Sequence, residues 1–241
     1  MTAPLQAMTV VVPVHDEEEL LGACLESLHE ATAQLRRIHD IDCDVWVVLD
    51  ACRDGSRAVA EHAGVRTLSL DVRNVGRSRA AGVAAALAHV GEVDPARVWT
   101  AHTDADSVVP AHWLTHQHEL ADAGADVMIG TVRPDFRDLD AARTAAWWQR
   151  YRPGVANDAV HGANLGVRAD ALVRAGGFPA LDEHEDVELV DALRRGGARI
   201  VLSDGAWVRT SGRQTGRTPG GYARYLRDDL LTRELRESVT D

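Results

Sequence analysis

MTVVVPVHDEEELLGACLESL, residues 8–28, changes its hydrophobic period partway through. Met8 to Val14 is an apolar, β-branched run, which reads as a buried strand. From Leu20 onward the apolar residues Leu20, Leu21, Cys24, Leu25 and Leu28 recur at helical spacing. A helix is predicted over DEEELLGACLESLHEATAQLRR, with Asp16 as its N-cap and acids in its first turn. A strand with no polar face, followed at once by an amphipathic helix, is the start of a βαβ unit.

The alternation continues. Strands are predicted at Val45–Leu49, Val65–Leu70 and Arg97–Thr103, and helices at Ser56–His62 and Arg77–Val90. The second half reads less regularly. Helices are predicted at 111–123, 138–151, 169–175, 185–195 and 221–235. Strands are predicted at 126–132 and 198–202, with another at 159–167 that passes through a Gly-Ala-Asn turn. This order predicts an α/β fold: a mostly parallel central sheet with helices on both faces. No linker, repeat or low-complexity tract interrupts it, so residues 1–241 are read as one domain. Ligands of such sheets sit at the carboxyl ends of the strands. Three polar clusters fall there: His15-Asp16-Glu17, Asp50 to Gly55, and His102 to Ser107.

Composition sets bounds. Lys plus Arg is 26 against 37 Asp plus Glu, a net charge of −11, which argues against a chain that grips nucleic acid through its overall field. No run of apolar residues is long enough for a membrane helix, and the N-terminus lacks the basic residues of a signal peptide. Cys24, Cys43 and Cys52 follow no metal-ligand spacing, so reduced thiols and a cytoplasmic setting are expected. Cys24 lies on the apolar stripe of the first helix.

The cluster HTDADS, 102–107, holds two aspartates two apart after the apolar run Val98–Ala101. In an extended segment residues i and i+2 share a side, so Asp104 and Asp106 can converge on a hard divalent cation such as Mg²⁺ or Mn²⁺. The alternative is a solvated turn capped by Asp106 or Ser107.

With these motifs in order, the chain resembles glycosyltransferase family 2, with its GT-A fold, over roughly residues 8 to 230. VVVPVHDEEELLGACLESL resembles that family's opening strand, loop and helix, and VVLDACRDGS its second-strand signature. TDADS stands where the family has its metal-binding D-x-D. HGANLGVRADALVRAGGF resembles the segment lining the acceptor side, and EHEDVEL the pair carrying the catalytic base. The resemblance implies a nucleotide-sugar-binding half, 1–110, and an acceptor-binding half, 111–241. It implies transfer of a sugar, with inversion, from a nucleotide diphosphate donor (usually a UDP-sugar) to an acceptor hydroxyl.

Residue by residue, the resemblance implies these roles. Asp104 and Asp106 hold the metal that neutralises the leaving diphosphate. Pro13, His15, Asp16, Glu18 and Asp50 serve the nucleotide; Asp50 has no evident structural partner in the sequence. Arg77 and Arg79, opening the third helix, are candidates for the phosphates, with a solvated helix start as the alternative. Gly162 and Asn164 bring backbone near the donor sugar, or form a structural turn. Asp186 is the general base and Glu185 its companion, against the plainer use of acids in a first helical turn. Trp147 and Trp148 stack on a sugar or belong to the core.

The pattern departs in two places. Processive members carry Q-x-x-R-W; here Gln214 to Arg217 match, but Thr218 replaces the tryptophan, so a single transfer is expected. Val208 to Arg213 has no histidine to serve as a further metal ligand. Arg209, Arg213 and Arg217 form a basic stretch that could close over the diphosphate. A pyrophosphorylase would need a glycine-rich opening loop, and a dehydrogenase G-x-G-x-x-G; neither is present. A non-catalytic nucleotide-sugar-binding domain stays open on the sequence alone. So does pairing of the apolar C-terminal helix face with a second copy.

Overall fold

A computed structural model describes residues 4–216 and 220–231 of the chain. Its strands are β1 (Ala7–Val14), β2 (Cys43–Asp50), β3 (Arg66–Leu70), β4 (Val98–His102), β5 (Ser107–Val108), β6 (Val127–Pro134), β7 (Leu165–Arg168) and β8 (Ile200–Thr210). They form one sheet in the order β3-β2-β1-β4-β7-β6-β8-β5. Only β7 and β5 run antiparallel to their neighbours, so the sheet is mostly parallel, as expected. Its helices are α1 (Leu21–His39), α2 (Ser56–His62), α3 (Val75–Val90), α4 (Trp113–Asp122), α5 (Ala141–Arg150), α6 (Ala169–Arg174) and α7 (Glu185–Arg195). A last helical stretch covers Tyr222–Arg224 and Tyr225–Asp229.

β1 shows why both faces are covered. Successive side chains of a strand point to opposite faces, and all of Val10, Val11 and Val12 are fully buried. Val10 and Val12 join Leu21 and Leu25 of α1, Ala60 of α2 and Trp113 of α4 on one face. Val11 joins Val83 of α3, Leu172 of α6 and Leu189 of α7 on the other. Each buried valine is worth about 1.5–3 kcal/mol by removal from water. A third cluster, with Trp147, Tyr151 and Leu226, seats the last helical stretch on α5.

Several boundaries differ from expectation. α1 begins at Leu21, and Asp16 does not cap it; Leu20 is the N-cap, with no side-chain hydrogen bond. Asp16 has φ 51°, outside the helix, because its carboxylate is used by a neighbouring loop. β8 is much longer than the 198–202 run suggested. Its outer half alternates buried Ala206, Val208 and Thr210 with exposed Trp207 and Arg209, a half-buried strand that breaks the apolar run. Residues before Gly162 are not a strand; a single 3₁₀ turn, Gly162–Asn164, leads into β7. The expected helix over 221–235 is described only to Leu231, and the rest lies outside the described residues. Among the described residues no helix is long and apolar enough to cross a membrane.

Candidate active site

The carboxyl ends of β1, β2, β4, β6 and β8 share one edge of the sheet, and the sequence-identified residues gather there. Positive φ is uncommon for residues other than glycine. Among the described residues five such residues have it, and four of them, Asp16, Ala51, Arg73 and His184, lie in loops of this rim. The chain tolerates unfavourable backbone here to place particular groups.

The loops after β1 and β2 are stitched together by carboxylates accepting backbone N–H groups. Asp16 Oδ1 accepts from Arg53 at 2.6 Å, and Glu18 Oε2 from Gly55 at 2.5 Å. In return, Asp54 accepts from the Glu18 N–H at 2.9 Å. One oxygen or sulfur atom from each of Asp16, Cys52 and Asp54 lies within 4.8 Å of the others, but Asp16 and Asp54 are committed to these loop bonds. Beside this seam, a cavity of about 300 Å³ opens at the ends of β2 and β3, lined by Ala51, Cys52, Arg53, Arg57 and Asp71 among others.

Asp50, without an evident partner in the sequence, has four. Its carboxylate accepts the N–H groups of Val72, Arg73 and Asn74 at 2.8–2.9 Å and the Ser78 hydroxyl at 2.9 Å. Burial alone would raise its pKa; the hydrogen bonds to its charged form outweigh burial and hold it below the usual carboxylate value. The loop it gathers presents Asn74, whose side chain accepts from the Arg77 N–H and caps α3. Arg77 is exposed at this helix start.

Arg79 is not part of a solvated helix start. It is 1 % exposed, and its guanidinium reaches Asp104 Oδ1 at 2.5 Å and Glu185 Oε1 at 3.0 Å. Desolvation would lower its pKa, but the facing carboxylates Asp104, Glu185 and Asp186 win and raise it. One Arg79 nitrogen, Nη1, is buried without a partner among the described residues. A Cβ at Gly162 would sit 2.5 Å from Arg79 Nη2, so any larger residue there would collide with the guanidinium.

The segment around Asp104 and Asp106 is a turn, not an extended run. The Ser107 N–H donates to the Asp104 carbonyl at 3.1 Å, because the chain must reverse into β5. The two side chains therefore meet different partners. Asp104 faces Arg79 and is 40 % exposed; Asp106 is only 14 % exposed, which removes the solvated-turn reading. Asp106 accepts from Thr210 Oγ1 at 3.2 Å and from Arg213 Nη2 at 3.0 Å. Burial first, and then Asp104, push its pKa up to about 6, against the pull of Arg213. Arg213 also grips Glu17 with two bonds, at 3.0 and 2.7 Å. It is thus closed over the carboxylates, with 32 % of its side chain still exposed.

At the start of α7, Asp186 Oδ2 accepts the Gly162 N–H at 2.6 Å, and its other oxygen accepts the Val187 N–H at 2.8 Å. Both bonds orient a carboxylate that stays part-exposed. Glu185 is buried, and burial raises its pKa despite Arg79. Asn164 is fully buried, and its side chain is saturated by Trp113, Thr131 and Ala206, so it ties β6, β8 and α4 behind the site. His161 packs edge-on against Tyr222, 5.5 Å between ring centres. Trp147 is core, while Trp148 is 42 % exposed.

Sequence reasoning passed over Glu17 and Thr210. Glu17 stood in a quoted cluster but looked like a helix-start acid. Thr210 carried no signal except its place at the buried phase of β8. Arg217 lies outside the described residues.

A family model described as glycosyl transferase family 2 matches residues 9–171. No curated protein is significantly similar to the chain. Among solved structures, a mannosyltransferase from Pyrobaculum calidifontis, in complex with GDP-Man and Mn²⁺, is 22 % identical with a TM-score of 0.63. That likeness covers all of this chain and 66 % of the mannosyltransferase, just under two thirds of its length. TarS 1-349 of S. aureus is 15 % identical, TM-score 0.60, over 98 % of this chain and 73 % of its own. Glucosyl-3-phosphoglycerate synthase from Mycobacterium tuberculosis, in complex with phosphoglyceric acid, is 18 % identical, TM-score 0.55, over 95 % and 80 %. At these identities the likenesses establish the shared fold, and the family match spans more than half of the chain. The chain belongs to glycosyl transferase family 2.

Proposed function

We propose that the protein moves a sugar from a nucleotide diphosphate donor, a UDP-sugar, to an acceptor hydroxyl in a single inverting transfer assisted by a divalent cation. One observation carries this reading: the buried Arg79 guanidinium joins Asp104, from the D-x-D turn, to Glu185, next to Asp186. The carboxylates suited to the donor and those suited to the acceptor are thereby locked into one unit.

The donor set fits a divalent cation. Glu17, Asp104, Asp106, Glu185 and Asp186 are five carboxylates, against the two guanidiniums Arg79 and Arg213 that face them. The excess negative charge, with Asp106 buried and raised in pKa, suits Mg²⁺ or Mn²⁺. Asp104 and Asp106 would hold the metal, which when bound supplies Lewis-acid neutralisation of the leaving diphosphate.

The protein's own groups do the rest. The acceptor hydroxyl gives its proton to the Asp186 carboxylate as its oxygen bonds to the anomeric carbon. The bond from that carbon to the phosphate oxygen breaks, and the nucleoside diphosphate leaves with the electron pair. Attack opposite the leaving group inverts the centre. Glu185 positions Arg79, and so the turn carrying Asp104. The base and ribose lie along the seam of Pro13, His15, Asp16 and Glu18, by the cavity at β2 and β3, with Asp50 supporting it from behind. Arg77 and Arg213 meet the phosphates, with Arg217 as a further candidate; the Gly162 backbone borders the sugar, and Asn164 anchors that turn.

Thermal shift with UDP-, GDP- and dTDP-sugars, with and without Mn²⁺ or Mg²⁺, tests the reading. One nucleotide should raise the midpoint only with metal, and Asp106→Ala should abolish that effect. Asp186→Asn should keep the shift while transfer falls about 10²–10⁴-fold. If no nucleotide shifts the midpoint under any metal condition, the donor assignment fails.

A further inference from the structure

On the face of β8 opposite the carboxylates lies a second cleft, of about 370 Å³, lined by Trp148, Trp207 and Phe136 together with Arg133, Arg137 and Arg209. Its volume falls in the range of small-molecule sites. It is built around a fixed arginine. Arg133 lies 4.0 Å over the Trp207 ring and 4.5 Å over the Tyr151 ring. It is paired with the buried Asp204 at 3.4 Å, and its Nε is buried without a partner among the described residues. Trp148 stacks on Phe136, ring centres 5.2 Å apart, and leaves 42 % of its surface in water; Trp207 leaves 38 %.

The charge in the cleft is unlike that of the chain. Three guanidiniums stand against two carboxylates, the lining Asp135 and the Asp204 behind Arg133, on a protein of net charge −11. Asp135 is held down to about 2 mainly by its hydrogen bond to Arg137 and is 3.8 Å from Arg209. The cleft therefore stays positive overall. Exposed tryptophan faces take the apolar face of a sugar ring, and arginine forks take carboxylate or phosphate.

The cleft also adjoins the transfer site. Arg209 precedes Thr210, whose hydroxyl donates to Asp106. The Asp135 N–H donates to the Thr210 carbonyl at 2.7 Å, and the Gly212 N–H donates to Asp138. One strand end carries a wall of each site. Building on the transfer reading above, we propose that this cleft binds an acidic saccharide, a sugar ring bearing a carboxylate or a phosphate, as the acceptor-side subsite.

Tryptophan fluorescence and calorimetric titration of the whole chain test this, with glucuronate, glucose 6-phosphate, methyl glucoside and inorganic phosphate as probes. Both acidic sugars should bind and quench, methyl glucoside and inorganic phosphate about tenfold or more weaker. Arg137→Gln should weaken the acidic sugars by about tenfold and leave the nucleotide thermal shift unchanged. Trp148→Ala should remove most of the quench. Glucuronate against glucose 6-phosphate tells which acid group is preferred. Equal binding of methyl glucoside, or of inorganic phosphate, overturns the proposal, as does unchanged binding in Arg137→Gln. If no sugar binds while a nucleotide still shifts the midpoint, the cleft proposal falls alone. If acidic sugars bind and no nucleotide does, the transfer reading falls and takes the acceptor role with it, while the acidic-saccharide site stands.

Discussion

Two arginines face the D-x-D turn, and they are held in opposite ways. Arg79 sits on α3, 2 % exposed in its side chain, between Asp104 and Glu185. Arg213 sits on the segment after β8, 32 % exposed, on Asp106 and Glu17. Burying a guanidinium is costly unless every facing charge is matched, so Arg79 is a fixture that the sheet, α3 and α7 must all be in place to accommodate. Arg213 keeps contact with water and can exchange partners at small cost. Under the proposed transfer, a site that holds a doubly charged donor and then releases the nucleoside diphosphate has use for both, one charge that frames it and one that can leave.

The contrast can be broken most strongly at Arg79. Arg79→Met leaves the buried Glu185 carboxylate against an apolar chain and the part-exposed Asp104 without its partner, and unfolding free energy should drop by about 3–5 kcal/mol, read by chemical denaturation. An unchanged midpoint would mean that the pair is not held as described. Asp50 tests the same rigid half. Asp50→Asn should cost about 1.5–3 kcal/mol at neutral pH. Its folded pKa is lowered, so its contribution is present above the unfolded value near 4 and is lost as pH falls. The gap between wild type and variant should therefore close below about pH 4; a gap independent of pH would point to packing instead. The smallest effect is expected at Arg213. Arg213→Gln should cost at most about 1 kcal/mol. Without donor, Mn²⁺ should bind about two- to fivefold more tightly once the competing cation is gone, followed by calorimetry. Weaker Mn²⁺ binding would make Arg213 a support for the carboxylates, not their counter-ion.

The architecture could be read from the chain because it rests on period. Val10 to Val12 bury on two faces and Leu21, Cys24, Leu25 and Leu28 on one stripe, and nothing distant alters that. The rim was read in type but not in use. Asp16 and Asp50 look like a helix cap and an unattached acid, because their true partners are backbone N–H groups 37 and 22–24 residues away. Backbone donors leave no mark in a sequence. Arg79 was ambiguous for a related reason: the carboxylate Glu185 that buries it lies 106 residues on. The aromatic cleft went unread because Trp207 and Arg209 belong to the half of β8 that ends the apolar run.

The Glu17–Arg213 bridge joins residues 196 positions apart. Its loop-closure entropy is repaid only after the intervening chain has packed. During synthesis, β1 to β4 can pair while β8 has yet to emerge, and throughout that interval Asp106 waits without Thr210 or Arg213. Completion of this rim is therefore among the last events of folding, and full closure of the carboxylate cluster reports that the final strand has docked.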